Sequence, residues 1–476
     1  MKRHVPLFCA SLCCVVGMMN TSRANDFVSV SEADVLVVTH TQLRTPGWPT
    51  EREGAWESQL LAQKAGQGYT VALYEIANGQ DQYDIRDYLV ENQGSFRYVL
   101  IIGDARRPEN DPPNPLAVPV CSFASGNIVP VWRQVLTNRV YWPPDYANIC
   151  ESDQGYVAGI TGVSIGRIPA ETRQEILDYL SKSDRYLADV DPSWSHRILE
   201  VLDDVFHYYN WCDGGLVRDY TEVCEWEFPP DWPVTRLATS TAPSDTASRL
   251  AQLENQFNNN TPGLIHVLGT SGRADDLVNW YFGSSPYNFT NSTHLPFMVA
   301  MSCDLGGFDQ YANGVQKQCV IEKLVLMPNG GLIGAVSATG VTLQTIDGVY
   351  CSYFWRTMFA EGVTNFGEVT SRSIATTRGR LPHEGFVLDM VTLLGDPTLS
   401  LRLPVPQNVA LSYDGANLVL RWAGDYSPYY RIYSSANSEG PFSTLEGATD
   451  QNSFIIPNWT SMERRFYSVV GWDGNP

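Results

Sequence analysis

The sequence predicts an α/β protein followed by a small all-β module. Short β-branched runs alternate with helical stretches between residues 34 and 336, as expected of parallel strands joined by crossover helices. After Pro404 the pattern changes to short alternating strands separated by turns. The chain has 476 residues, 43% hydrophobic and 12% aromatic, enough to bury large cores in about three domains.

The first strand is expected at Asp34–Thr39, a continuous apolar run typical of a strand buried on both faces. A helix over Glu57–Gly66, a strand over Thr70–Tyr74, a helix over Asp84–Asn92 and a strand over Tyr98–Ile102 follow. The Pro-rich stretch Pro108–Pro144 is expected to be mostly loop. Val163–Pro169 leads into a helix over Glu171–Leu187, with Ile176, Leu177, Leu180 and Tyr186 on a helical repeat. The pattern restarts near Asp191-Pro192: strands are expected over Arg197–Leu202, Gly263–Gly269, Pro296–Met301 and Gly330–Val336, and helices over Ser244–Phe257 and Val320–Leu326. In the last segment, Val409–Leu411, Leu418–Trp422, Tyr430–Tyr433 and Phe466–Val470 read as strands. Asp414-Gly415 marks a hairpin, and Trp422 and Tyr433 are expected in the core.

The amino terminus has the three parts of an export signal: basic Lys2, Arg3 and His4, an apolar Val5–Met19 run, and small residues at Ser22 and Ala24. The run is shorter than the roughly 20 residues that span a bilayer comfortably. No later segment is expected to be transmembrane. Domains are therefore expected at 1–24 (signal peptide), 25–190, 191–403 and 404–476, the mature chain being secreted or held at the cell surface. Net charge is −20, and losing Lys2, Arg3 and Arg23 makes it −23. Such a chain repels nucleic acid and anionic membranes. The acid excess allows structural calcium, but no loop has EF-hand spacing, and no cofactor is expected.

Ten cysteines are present, three of them inside the signal. Cys212 and Cys224 flank a Gly-Gly turn and are the expected bridge. The absence of Cys-x-x-Cys argues against structural zinc. Nucleotide and zinc-hydrolase chemistries lack their motifs: there is no G-x-G-x-x-G, Walker or H-E-x-x-H pattern. Gly395-Asp396-Pro397 reads as a turn rather than a site.

Several landmarks occur in order: Gly103-Asp104-Ala105, Ser164–Pro169, Met301–Phe308, Glu322 ahead of Pro328-Asn-Gly-Gly331, Ser337-Ala-Thr339 and Leu394–Pro397. Together they resemble the gingipain family of secreted cysteine peptidases. The resemblance runs from about residue 34 to 403. It implies two caspase-like α/β subdomains with mostly parallel sheets, then a fibronectin type III or immunoglobulin-like sandwich, and a Cys–His dyad acting on proteins or peptides. Cys303, in Ser302-Cys-Asp-Leu-Gly-Gly-Phe308, matches the nucleophile, whose thiolate would attack an amide carbon. The family's His lies in a Gly-His-Gly turn. Here Gly269 keeps the first glycine and Thr270 stands in the His position. A threonine hydroxyl does not titrate near neutral pH, so the resemblance implies a nucleophile without its partner. His266, His294, His40 and His383 are the histidines considered as substitutes, each also readable as a packing or surface residue. Asp275 and Asp276 could meet a basic ligand group, though such a pair is more often part of a solvated loop. Cys303 could instead be half of a cystine with Cys319 or Cys351. Two functions follow: a protein- or surface-binding pseudoenzyme, or an active endopeptidase with an unrecognised base.

Overall fold

The computed structural model of the protein describes residues 26–77, 80, 82–104, 153–157, 160–189, 194–202, 210–213, 216–229, 232–238, 241–269, 287–303, 305–307, 311–312, 315–316, 318–340, 342, 344–381, 388, 390–402, 407–414, 417–423, 429–435, 444–449, 451–457 and 466–472. The Pro-rich segment, Thr270, Asp275, Asp276 and His383 lie outside them.

The first half is built from β1 (Val35–His40), α1 (Trp56–Gly66), β2 (Val71–Ile76), α2 (Gln82–Glu91), β3 (Tyr98–Ile102), α3 (Gln154–Val157), β4 (Ser164–Ile168) and α4 (Arg173–Ala188). Both sides of these strands are buried. Val35 and Val37 join one apolar cluster, Leu36 and Val38 another, which is why the strands read as unbroken apolar runs. α4 begins where Thr172 accepts from the Glu175 backbone and Glu175 bonds back to the Thr172 N–H, a reciprocal cap that satisfies two otherwise unpaired donors.

The second half contains β5 (Ile198–Leu202), β6 (Asn210–Asp213), β7 (Leu216–Asp219), α5 (Tyr220–Glu225), β8 (Val234–Ala238), α6 (Thr246–Asn259), β9 (Leu264–Leu268) and β10 (Phe297–Met301). It continues through β11 (Tyr311–Ala312), β12 (Val315–Gln316), α7 (Val320–Leu326), β13 (Gly334–Ala338), α8 (Gln344–Phe359), α9 (Phe366–Arg380) and β14 (Val391–Gly395). One ten-stranded sheet unites both halves in the order β2-β1-β3-β4-β14-β13-β10-β9-β5-β8. β14 is antiparallel to β13 and meets β4 at a single pair, Leu394 with Arg167. Lys182, near the end of α4, donates to the carbonyls of Leu324, Val325, Met327 and Gly330 just ahead of β13.

β13 starts at Gly334, four residues later than the Gly330 start expected from the apolar run. Asn291 accepts from the Gly331 N–H and donates to the Gly331 carbonyl, so the first glycines form a turn and pairing with β10 begins only at Gly334.

The last segment forms two three-stranded antiparallel sheets. One holds β15 (Gln407–Asp414), β16 (Asn417–Ala423) and β19 (Ser453–Ile456); the other holds β17 (Tyr429–Ser435), β18 (Thr444–Thr449) and β20 (Phe466–Trp472). Both contribute to one core containing Leu418, Leu420, Trp422, Tyr430, Ile432, Ile456 and Val469, so they pack face to face. Asp414 pairs with Asn417 across a two-residue connection, the expected hairpin. Trp422 is in the core, but its aromatic neighbour is Tyr430, with ring centroids 4.9 Å apart, and not Tyr433. Tyr430 and Ile432 point inward, and the period of two turns Tyr433 to the other face of β17.

The expected Cys212–Cys224 bridge is absent. Cys224 is a buried thiol. The chain turns from β7 into α5 after Asp219, which carries Cys224 into the core beneath α8, where its thiol lies 3.6 Å from the Gly348 carbonyl.

Candidate active site

Cys303 lies two residues past the end of β10. Met301 is the Cα partner of Leu268, so β9 and β10 end in register, with Gly269 buried immediately after β9. The sequence-assigned pair Gly269 and Cys303 therefore lies at the same sheet edge. Thr270, the third assigned position, is outside the described residues.

The turn after Cys303 requires glycine. Gly306 donates its N–H to the Ala338 carbonyl at 2.9 Å, and a Cβ there would stand 2.9 Å from the Ser337 Cβ. A larger residue would push the turn off β13, which accounts for the glycine spacing after the cysteine.

Cys303 is partly buried and forms no disulfide; Cys319 and Cys351 are thiols as well, which removes the half-cystine alternative. Thr342, two residues ahead of α8, surrounds the sulfur. Its N–H donates to Sγ at 3.4 Å, its carbonyl lies 3.7 Å from Sγ and its hydroxyl 3.8 Å. The N–H and the amino end of α8 both favour a thiolate. The Thr342 hydroxyl donates onward to Asp347 Oδ2 at 2.7 Å. Asp347 is fully buried, and burial pushes its carboxyl up to about 7 against the opposing Thr342 hydrogen bond. Sequence reasoning missed both residues. Thr342 and Asp347 follow a strand 31 or more residues downstream of the cysteine, and only the adjacency of β10 and β13 brings them to the sulfur.

The described histidines are all placed elsewhere. His266 is fully buried on β9, with Nδ1 3.2 Å from Glu200 Oε1 and its ring packed edge-on against Phe228 and Trp355. Burial pushes its imidazole down, but contacts with Cys224 and Glu200 outweigh this and hold it up at about 9. His294 lies ahead of β10, at the opposite strand end, stacked on Trp194. His196 precedes β5 and packs against Trp232. His40 ends β1 and accepts from the Gln42 N–H; it is five strands from β10, or about 24 Å at about 4.8 Å per strand.

At the same edge, Glu322 at the start of α7 is 1% exposed. It accepts from the Cys319 N–H at 3.1 Å. Burial first, then the Asp104 carboxylate, pushes it up to about 10. Its folded value lies above its unfolded one, so its contribution to stability is present in full below about pH 4.5 and is lost as pH rises towards 10. Glu322→Gln keeps an acceptor for Cys319 without the titration. It is expected to stabilise the protein at pH 8 by on the order of 1–3 kcal/mol, with no gain at pH 4, as urea midpoints at the two pH values would show. Among the described residues, no cluster of metal-ligating side chains and no helix long and apolar enough to cross a membrane is found.

Comparison with known proteins matches this architecture. Gingipain R, an Arg-specific cysteine proteinase, superposes with a TM-score of 0.58 at 17% identity, over 94% of this chain and 98% of that one. A complex of the pro- and mature domains of RgpB from Porphyromonas gingivalis superposes with a TM-score of 0.54 at 16% identity, over 92% of this chain and 97% of that one. At these identities the matches establish the caspase-like fold. A curated human protein, bridge-like lipid transfer protein family member 1, is 30% identical over 124 residues, which is 26% of this chain but 2% of that protein's length. The model of peptidase family C25 matches residues 29–402, more than three quarters of the chain and both halves of the sheet, and the chain belongs to that family of gingipain-like peptidases.

Proposed function

We propose that this protein is an exported gingipain-like cysteine peptidase homologue with impaired catalysis, acting as a protein- or peptide-binding pseudoenzyme, and that its terminal sandwich is a fibronectin type III or similar module. One observation carries the reading. β9 and β10 end in register, Cys303 is placed beyond one, and the other leads to threonine at the family's histidine position. The thiol keeps features that favour a thiolate, while the residue that would protonate the leaving amine is replaced. A site that works as a pair loses most of its rate when one member goes. The solved complex of RgpB pro- and mature domains supports a protein ligand for a surface of this fold. The basic, apolar start of the chain supports export.

A second reading rests on Asp347. A carboxyl pushed up to about 7 and joined through Thr342 to the nucleophile position could accept the thiol proton in place of histidine. An enzyme that worked this way would gain activity as pH rises through about 7.

Labelling and cleavage assays on the mature protein decide between them, using a thiol-directed acyl probe and peptides with arginine at the cleavage point, the specificity named for gingipain R. The native protein is expected to cleave nothing, and Thr270→His to gain at least about 100-fold over background, with Cys303→Ala abolishing that gain. Native cleavage lost in both Cys303→Ala and Asp347→Asn would establish the second reading. Native cleavage lost in Cys303→Ala and retained in Asp347→Asn would overturn both.

A further inference from the structure

Outside the candidate site, two thiols lie together under the opposite face of the sheet. Cys224 on α5 and Cys351 on α8 are both fully buried and share one apolar cluster. The Cys224 thiol lies 3.6 Å from the Gly348 carbonyl, and Cys351 is one turn further along the same face of α8. Burial pushes the Cys224 thiol up, the neighbouring Cys351 thiol adds to this, and His266 on β9 opposes it. His266 is itself held by Glu200. Two buried thiols on helices that pack against each other, one of them in contact with the α8 backbone one turn before the other, are placed to close to a cystine.

We propose that Cys224 and Cys351 form a disulfide when the chain folds in an oxidising compartment, tying α5 to α8. The oxidant is a small-molecule or protein disulfide, R–S–S–R. Cys224 loses its proton, and its thiolate attacks one sulfur of the oxidant, forming a mixed disulfide and expelling one RS⁻. The Cys351 thiolate then attacks the Cys224 sulfur and expels the second RS⁻. The two protein protons end on the two departing thiolates, giving two RSH, so the cysteines are oxidised by two electrons and the oxidant is reduced by two. Exchange takes place before α5 docks, because both sulfurs are inaccessible afterwards. The cross-link spans a long segment of chain, where loss of unfolded-state entropy is large. It also steadies α8, the helix that carries Asp347.

The test refolds the full chain in glutathione disulfide, blocks remaining thiols with N-ethylmaleimide under denaturing conditions, and maps peptides by mass spectrometry without reduction. A cross-linked peptide containing Cys224 and Cys351 is expected. The oxidised protein should melt about 5 °C above the reduced one, a difference that disappears in Cys224→Ser and in Cys351→Ser. Both cysteines recovered alkylated from refolded protein, or Cys224 recovered joined to another cysteine, would overturn the proposal. If either serine variant fails to refold, the native peptide map alone decides.

Discussion

Asp396→Ala is expected to destabilise the protein by about 3–5 kcal/mol, the cost of leaving one member of a buried ion pair alone. Asp396 pairs with Lys64 from α1, and both side chains are fully buried. Lys64 also donates to Thr398 at 2.8 Å and to Gln67 at 3.0 Å. The other carboxylate oxygen accepts from the Thr398 N–H and hydroxyl, and the Asp396 N–H donates to the Tyr179 phenol. Removing the carboxylate strands an ammonium group in the core and loosens the turn that ends β14. Pairing Asp396→Asn with Lys64→Met removes the stranded charge and should recover more than half of the loss. Urea denaturation of the single and double variants measures the coupling. A double variant as unstable as Asp396→Ala would show that the loss does not come from the stranded ammonium group.

Gly263→Ala should cost about 3 kcal/mol, at the upper end for overpacking. A Cβ at Gly263 would stand 1.8 Å from the Ser195 carbonyl oxygen and 2.3 Å from its carbon. The obstruction is backbone, so no side-chain rotation relieves it. Gly263 also donates to the Arg197 carbonyl and accepts from the Phe297 N–H, locking the entry to β9 between β5 and β10. Displacing β9 moves the strand that carries His266 and leads to Gly269, so the rate of Cys303 labelling by a small alkylating reagent should change together with the urea midpoint. Gly66→Ala and Gly379→Ala are the controls. Nothing lies within 4 Å of a Cβ at either helical position, and both should be neutral or stabilising by up to about 1 kcal/mol. A Gly263→Ala variant as stable as these would refute the close approach of β9 to the segment before β5.

Much of the architecture was legible from local pattern. Tyr98–Ile102 and Val320–Leu326 are a strand and a helix at the residues their periodicity indicated, because hydrophobic spacing is a local property that survives whatever the element packs against. Elements without a clean period were missed. β14 is short and antiparallel to β13, and α8 is apolar on most sides because both α5 and the sheet cover it. The order of motifs around Cys303, and the threonine at position 270, also needed no structure: they are facts of sequence that identify the kind of chemistry at stake.

The sequence by itself determined the element types, the family landmarks and the threonine at position 270. Only the tertiary structure decided which side chains meet. It turned Asp396 from a turn residue into the buried partner of Lys64, 332 positions away. It replaced Cys212 with Cys351 as the neighbour of Cys224, put Tyr430 rather than Tyr433 beside Trp422, and brought Thr342 and Asp347 to Cys303. The physical reason is common to all four. Periodicity sets the face on which a side chain emerges, whereas its partner depends on strand order, helix docking and which carboxyls and amines lose their water together, and those are settled between segments distant in the chain.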